Sequence, residues 1–281
     1  MGTGHYENFP VASVLCPPRL RGTVLAIYRY ARTADDIADE GPQDAQGRSD
    51  ALRAYRDDLD AIYDGRPDSG RWATVFQPLR DAVQRHELPR QPLADLLSAF
   101  LQDVQNPLYP TRQALLDYCR RSANPVGRLL LHLHGVEHPE RLRQSDHICT
   151  ALQLINFWQD LSVDLPRGRV YIPLEDAVRH RVTLRDPRHL SDDAPTRQLV
   201  QALCAWAATE MHLGAPLAAS LPGRVGWELR LVVQGGLRVL DKIRALGFAT
   251  VTTRPVLGAA DLPTMIWRSL GMRRPTERVE A

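Results

Sequence analysis

The chain has 281 residues, 44% apolar and 24% charged, a composition that excludes collagen-like, coiled-coil and wholly disordered readings. Its 35 lysines and arginines nearly balance 33 aspartates and glutamates, which excludes a nucleic-acid binder driven by phosphate attraction. Nearly all the positive charge is arginine, Lys242 being the only lysine, a bias that genome composition accounts for. Met1 to Pro10 has no basic stretch followed by an apolar core, so no signal peptide is expected. No run approaches the 18 or so apolar residues that a membrane span needs. Cys16, Cys119, Cys149 and Cys204 are too far apart for a zinc site or redox pair, and read as reduced thiols of a cytoplasmic protein.

Taken in chain order, the 21 prolines divide the sequence into segments with helical periodicity. Proline-free stretches run over 19–41, 43–66, 140–165 and 223–254, each with apolar residues at three- and four-residue intervals. In the last of them Leu229, Val232, Val233, Leu237, Leu240, Ile243 and Leu246 form one stripe. Loops are expected at 41–46, 64–70, 106–110, 166–173 and 185–195, and strand signals are scarce. The pattern predicts a single all-α domain over 1–281, with its core at about 5–250 and a C-terminal tail at 255–281. In the tail, Leu262, Met265, Ile266, Trp267 and Leu270 precede Arg268, Arg273 and Arg274. A final helix packed on the core is expected there, the alternative being peripheral contact with the inner membrane face.

Two segments depart from ordinary helix composition. In the first, Tyr28, Arg32, Asp35 and Asp39 fall within roughly 60° of one another on a helix. In the second, Gln153, Asn156, Asp160 and Asp164 make a stripe roughly 80° wide on an otherwise apolar helix. Leu154, Ile155, Phe157, Trp158 and Leu161 cover much of its remaining surface, so the polar stripe should face a cavity rather than bulk water. Like charges at i,i+4 repel, and something cationic should offset them. Two D-x-x-x-D pairs made only of oxygen donors suit Mg²⁺, which takes one or two carboxylates, waters and substrate phosphate oxygens. Pro166-Arg167-Gly168-Arg169-Val170-Tyr171-Ile172-Pro173 follows, a basic flap able to close on a phosphate. No P-loop or dinucleotide fingerprint competes with it.

At these residues the sequence resembles the squalene/phytoene synthase family, over roughly Tyr6 to Gly247. The anchors are Asp35-Asp36-Ile37-Ala38-Asp39, Tyr118 with Asn124-Pro125-Val126-Gly127, Gln153-Leu154-Ile155-Asn156, Asp160-Leu161-Ser162-Val163-Asp164 and Arg169-Val170-Tyr171-Ile172-Pro173. Asn8-Phe9-Pro10-Val11-Ala12-Ser13 and the phrase from Ala31 to Gly41 look most like a bacterial branch of hopanoid biosynthesis. That branch converts presqualene diphosphate to hydroxysqualene and diphosphate. The resemblance implies one helical domain around a central cavity, with Asp35, Asp39, Asn156, Asp160 and Asp164 holding Mg²⁺ and diphosphate. It places His5, Tyr28, Arg32, Gln153, Arg169 and Tyr171 on the substrate and Tyr118 near the reacting cation. The family's usual Ala-Gly before Val-Gly is here Ala123-Asn124-Pro125, and an aromatic of some relatives is replaced by Gly235-Gly236. From these departures Asn124, with space at the glycines, is expected to position the capturing water. Functional coupling to a presqualene diphosphate synthase is implied as well. The alternative within the family is a presqualene diphosphate, squalene or phytoene synthase condensing two prenyl diphosphates.

Outside the family, a non-catalytic helical partner is disfavoured by four intact motif aspartates, and a di-iron bundle by the absence of Glu-x-x-His. His132, His134 and His138 carry no metal expectation, because Gly135 and Pro139 interrupt the helix they would need. Phe157 and Trp158 read as packing residues before cation-stabilising ones.

Overall fold

The structure, a computed structural model, describes residues 16–272. These form twelve α-helices joined by loops and short 3₁₀ turns, with no strand among the described residues. The first four are α1 (Pro18–Asp39), α2 (Ala45–Tyr63), α3 (Ala73–His86) and α4 (Arg90–Asp103). Then come α5 (Arg112–Ser122), α6 (Asn124–Leu133), α7 (Pro139–Gln159), α8 (Leu161–Asp164) and α9 (Leu174–Arg179). The chain ends in α10 (Ala194–Ser220), α11 (Gly223–Ala245) and α12 (Leu262–Gly271).

Local signals set most boundaries. Pro18 opens α1 where its missing N–H costs nothing, and Asp44, Thr111 and Asp193 cap α2, α5 and α10 through their side chains. Two prolines fail as breakers: Pro78 lies inside α3 and Pro216 inside the 27-residue α10. A helix interior forgoes one hydrogen bond at such a site, and α10 offsets that loss by packing along α7 and α11. The second acidic segment also departs from expectation. It is not one continuous helix, because Asp160 (φ −98°, ψ 13°) closes α7 and α8 restarts as a single turn.

Two apolar clusters organise the helices. Tyr30, Tyr55, Phe76, Leu79 and Leu93 centre the one built from α1 to α4. Leu154, Trp158, Leu199, Met211 and Val233 centre the other, built largely from α7, α10 and α11. α7 and α10 approach so closely that a Cβ on Gly214 would stand 2.5 Å from Ile148 Cγ1 and 2.6 Å from the Gln144 carbonyl oxygen. Gly214→Ala is therefore expected to cost about 2 kcal/mol and lower the melting temperature by about 5 °C in a thermal melt. An unchanged melting temperature would show that the two helices can part without loss.

The described part of the tail, residues 255–272, is tied to α11. Asp261 sits in a latch with Arg238 Nε and Lys242 Nζ of α11, both at 2.7 Å, and its carboxyl is held well below the usual range, chiefly by the Lys242 bond. That latch docks α12, which buries Met265 and Ser269 while Leu262, Ile266, Trp267 and Leu270 stay exposed. No helix among the described residues is long and apolar enough to cross a membrane.

Candidate active site

A cavity of about 500 Å³ opens between the two clusters. From α1 it receives Tyr28, Arg32, Asp35 and Asp39, the four residues that helical spacing places on one face. From the opposite side come Gln153 and Asn156 of α7, Asp160 at its cap, and Asp164 at the end of α8. Tyr118, Arg169 and Tyr171 line it too. His5 lies outside the described residues.

Two expected contributors are elsewhere. Asn124 does not line the cavity; it is buried at the start of α6, where its carboxamide oxygen accepts the Thr150 hydroxyl at 3.0 Å. Gly235 and Gly236 are buried in α11 and supply no space to it. A Cβ on Gly236 would meet Met211, Leu152 and Ile155 at 2.8–3.2 Å, so the small residue serves close packing of α11 on α7 and α10.

The cationic offset to the paired acids is explicit. Arg169 Nη2 lies 2.5 Å from Asp39 Oδ1, joining the flap to α1 across 130 residues. Its loop turns at Gly168, whose φ of +75° is left-handed and suits glycine, and Asn106 donates to the Gly168 carbonyl at 2.8 Å. Arg32 pairs with Asp35 at 3.2 Å and with Asp36 at 2.6 Å. Sequence spacing missed Arg254, which grips both oxygens of Asp160 at 2.5 and 3.3 Å. It arrives there because Gln159 Nε2 donates to the Pro255 carbonyl at 2.6 Å, and because Asp192 ties down the backbone of Val251 and Thr252. No local pattern announces it.

Asp103 is a second missed residue, and it carries a signal in hindsight: an acid three and seven residues beyond Phe100 and Leu96, on the side of α4 that also carries buried Ala99. It lines the cavity and accepts the Tyr118 hydroxyl at 2.8 Å. Burial pushes both Asp103 and Asp164 up to about 7, Asp164 with help from Asp160. A carboxyl raised from 3.8 contributes stability that is complete below about 4 and lost as pH rises through about 7. With chelator present, the melting temperature should fall on the order of 5 °C between pH 5 and pH 8. Asp103→Asn should flatten that slope; a slope as steep as wild type would locate the effect elsewhere.

Aromatic rings form the wall behind the charged mouth. Phe157 and Tyr171 stack with centroids 3.9 Å apart and planes within 9°, and Tyr118 sits 6.1 Å from Tyr171. Phe157 thus faces the cavity, whereas Trp158 is wholly buried in the core. Five carboxylates (Asp35, Asp39, Asp103, Asp160, Asp164) meet four arginines (Arg32, Arg167, Arg169, Arg254) across the cavity. Among the described residues, no three histidine, cysteine or acidic side chains converge as a ready-made metal cage. The donors still fit a hard divalent cation shared with a polyanion, being oxygen only, with no thiol or imidazole in the lining.

Helices enclosing a cavity with carboxylates and arginines at its mouth define the all-α isoprenoid-synthase class. Residues 3–261 match the model of the squalene/phytoene synthase family, so the chain belongs to that family of enzymes. It is 35% identical over 238 residues to the hydroxysqualene synthase of Sinorhizobium fredii, covering 84% of this chain and 78% of that protein. It is 35% identical over 270 residues to the phytoene synthase of Cereibacter sphaeroides, covering 90% of this chain and 72% of the relative. The crystal structure of squalene synthase HpnC from Alicyclobacillus acidocaldarius superposes with a TM-score of 0.79 at 35% identity, over 87% of this chain and 90% of that one.

Proposed function

We propose that the chain is a hydroxysqualene synthase, a carbon–oxygen lyase that ionises presqualene diphosphate, lets the cation rearrange, and captures it with water. The observation that supports it is the meeting of both acidic pairs, with Arg32, Arg169 and Arg254, at one cavity backed by aromatic rings. Because that cavity draws on both apolar clusters, the reading treats the chain as one domain.

Asp35, Asp39, Asn156, Asp160 and Asp164 would hold Mg²⁺, whose bound charge supplies Lewis-acid stabilisation to a leaving diphosphate. Arg169 and Arg254 already point into the site from their aspartate partners, and their planar forks suit phosphate oxygens. Arg32, Tyr28 and Gln153 line the same mouth, and His5 is assigned beside them by resemblance alone. Past the mouth, Phe157, Tyr171 and Tyr118 line the cavity with aromatic rings, a lining suited to a cation and poor in nucleophiles. The quench forms a carbon–oxygen bond to one water, whose proton leaves with the diphosphate. No electrons are exchanged, so no hydride donor is needed. The substrate implies a partner reaction, catalysed by a presqualene diphosphate synthase.

Equal identity to a phytoene synthase favours a second reading, condensation of two prenyl diphosphates. Purified protein with Mg²⁺ should turn presqualene diphosphate into hydroxysqualene, identified by mass spectrometry, and leave farnesyl or geranylgeranyl diphosphate untouched. Product from either prenyl diphosphate alone would favour the second reading over the first.

A further inference from the structure

We infer that Ser122 seats the water that captures the cation; this rests on the hydroxysqualene-forming reading and deepens it. A cation quenched by water at one carbon needs a single held water in a wall that otherwise repels it. Such a water requires polar partners, and the aromatic and aliphatic surfaces behind the mouth offer few.

Ser122 is the last residue of α5, one helical turn beyond Tyr118, and both line the cavity. Helical serines commonly satisfy themselves on the carbonyl four residues back. Ser122 does not: its hydroxyl is buried and has no hydrogen-bond partner among the described residues. An unsatisfied buried hydroxyl is costly, and a guest that bonds to it recovers that cost. Ser122 lines the cavity although its hydroxyl is shielded as placed, so seating a water there calls for a turn about χ1 to another staggered rotamer, open to an unbranched side chain.

Its neighbours on α5 are fixed in place. Tyr118 gives its own proton to Asp103 at 2.8 Å, which leaves the phenolic oxygen's lone pairs as an acceptor for water. Arg121 fixes the register of α5 on α4, donating to Ser98 at 2.9 Å and to Gln102 at 2.5 Å. A water that accepts from the Ser122 hydroxyl keeps a second lone pair free for carbon, and the Tyr118 oxygen lines the same cavity. Asn124 is unavailable for this task, since Thr150 occupies its carboxamide oxygen away from the cavity. In the step itself the water oxygen bonds to the cationic carbon, one O–H bond breaks, and the proton leaves with the diphosphate. Ser122 neither gains nor loses a proton overall.

The readout is the ratio of hydroxysqualene to oxygen-free C30 hydrocarbons formed from presqualene diphosphate with Mg²⁺ in ¹⁸O-water. This ratio reports the fate of cations already formed, so partial misfolding of a variant leaves it unmoved. Ser122→Ala should lower it about tenfold or more, because cations that miss their water lose a proton instead. Ser122→Thr, which keeps the hydroxyl, should stay within about threefold of wild type. An unchanged ratio in Ser122→Ala, or an equal fall in both variants, overturns the assignment. Wild-type protein that makes no labelled hydroxysqualene overturns the underlying reading itself, a result distinct from either.

Discussion

Asp39→Asn is expected to slow diphosphate release from presqualene diphosphate about a thousandfold, the loss seen when one preorganised electrostatic partner of a transition state is removed. The substitution keeps the shape of the side chain and one acceptor oxygen, but deletes the charge that stands 2.5 Å from Arg169. Two things fail together. On the proposed function the carboxylate would no longer help to hold Mg²⁺, and the flap loses the ion pair that ties it to α1 across the cavity. Neither is recovered by saturating metal, because the missing charge belongs to the site and not to its occupancy. The fold should survive, since the cavity already crowds five carboxylates and loses one repelling charge. A release rate within tenfold of wild type, measured by coupled pyrophosphate assay, would remove Asp39 from the chemistry and weaken the whole reading of the acidic pairs.

Arg112→Met should instead strike stability, by about 3 to 5 kcal/mol or about 10 °C in melting temperature. Asp176 is completely buried at the start of α9, and Arg112 grips both its oxygens at 2.8 and 2.9 Å. Arg179 makes a further 3.0 Å contact, but its own side chain is exposed. Without Arg112 the buried carboxylate keeps only a solvent-screened partner. Arg112 also lies over the Trp206 ring at 4.8 Å, packing that methionine recovers in part. The damage should reach the site as well. α9 follows the flap directly, and the backbone amides of Leu174 and Glu175 dock on the carbonyls of Tyr109 and Pro110. KM for the substrate should therefore rise in the surviving enzyme. The double variant Arg112→Met, Asp176→Leu should regain much of the loss, because deleting both charges leaves no buried ion to pay for. A single variant that melts within 2 °C of wild type would show the pair to be ornamental.

The contrast between Asp160 and Asn124 shows how far local pattern carries. Asp160 was legible because its spacing to Asn156 and Asp164 is helical and its surroundings are apolar, both properties of a dozen neighbouring residues. The break in the helix at Asp160 was not legible, yet Asp160 and Asp164 both still line the cavity. Asn124 drew notice as a departure from the family pattern, but its direction depends on where α6 meets α7. There Thr150 takes it, away from the cavity, whereas Ser122 is among the residues that line the cavity.

From the sequence alone came the helical class, both acidic pairs, the flap and the family, all encoded over stretches where period and spacing suffice. The packed structure alone decided which arginine answers which acid, that Asp103 backs Tyr118, and that Gly236 serves close packing rather than cavity space. Those pairings join residues as many as 130 positions apart, and no local rule holds such information. They exist only once two apolar clusters have closed, bringing charges into a partly buried space where each must find a partner or shift its proton.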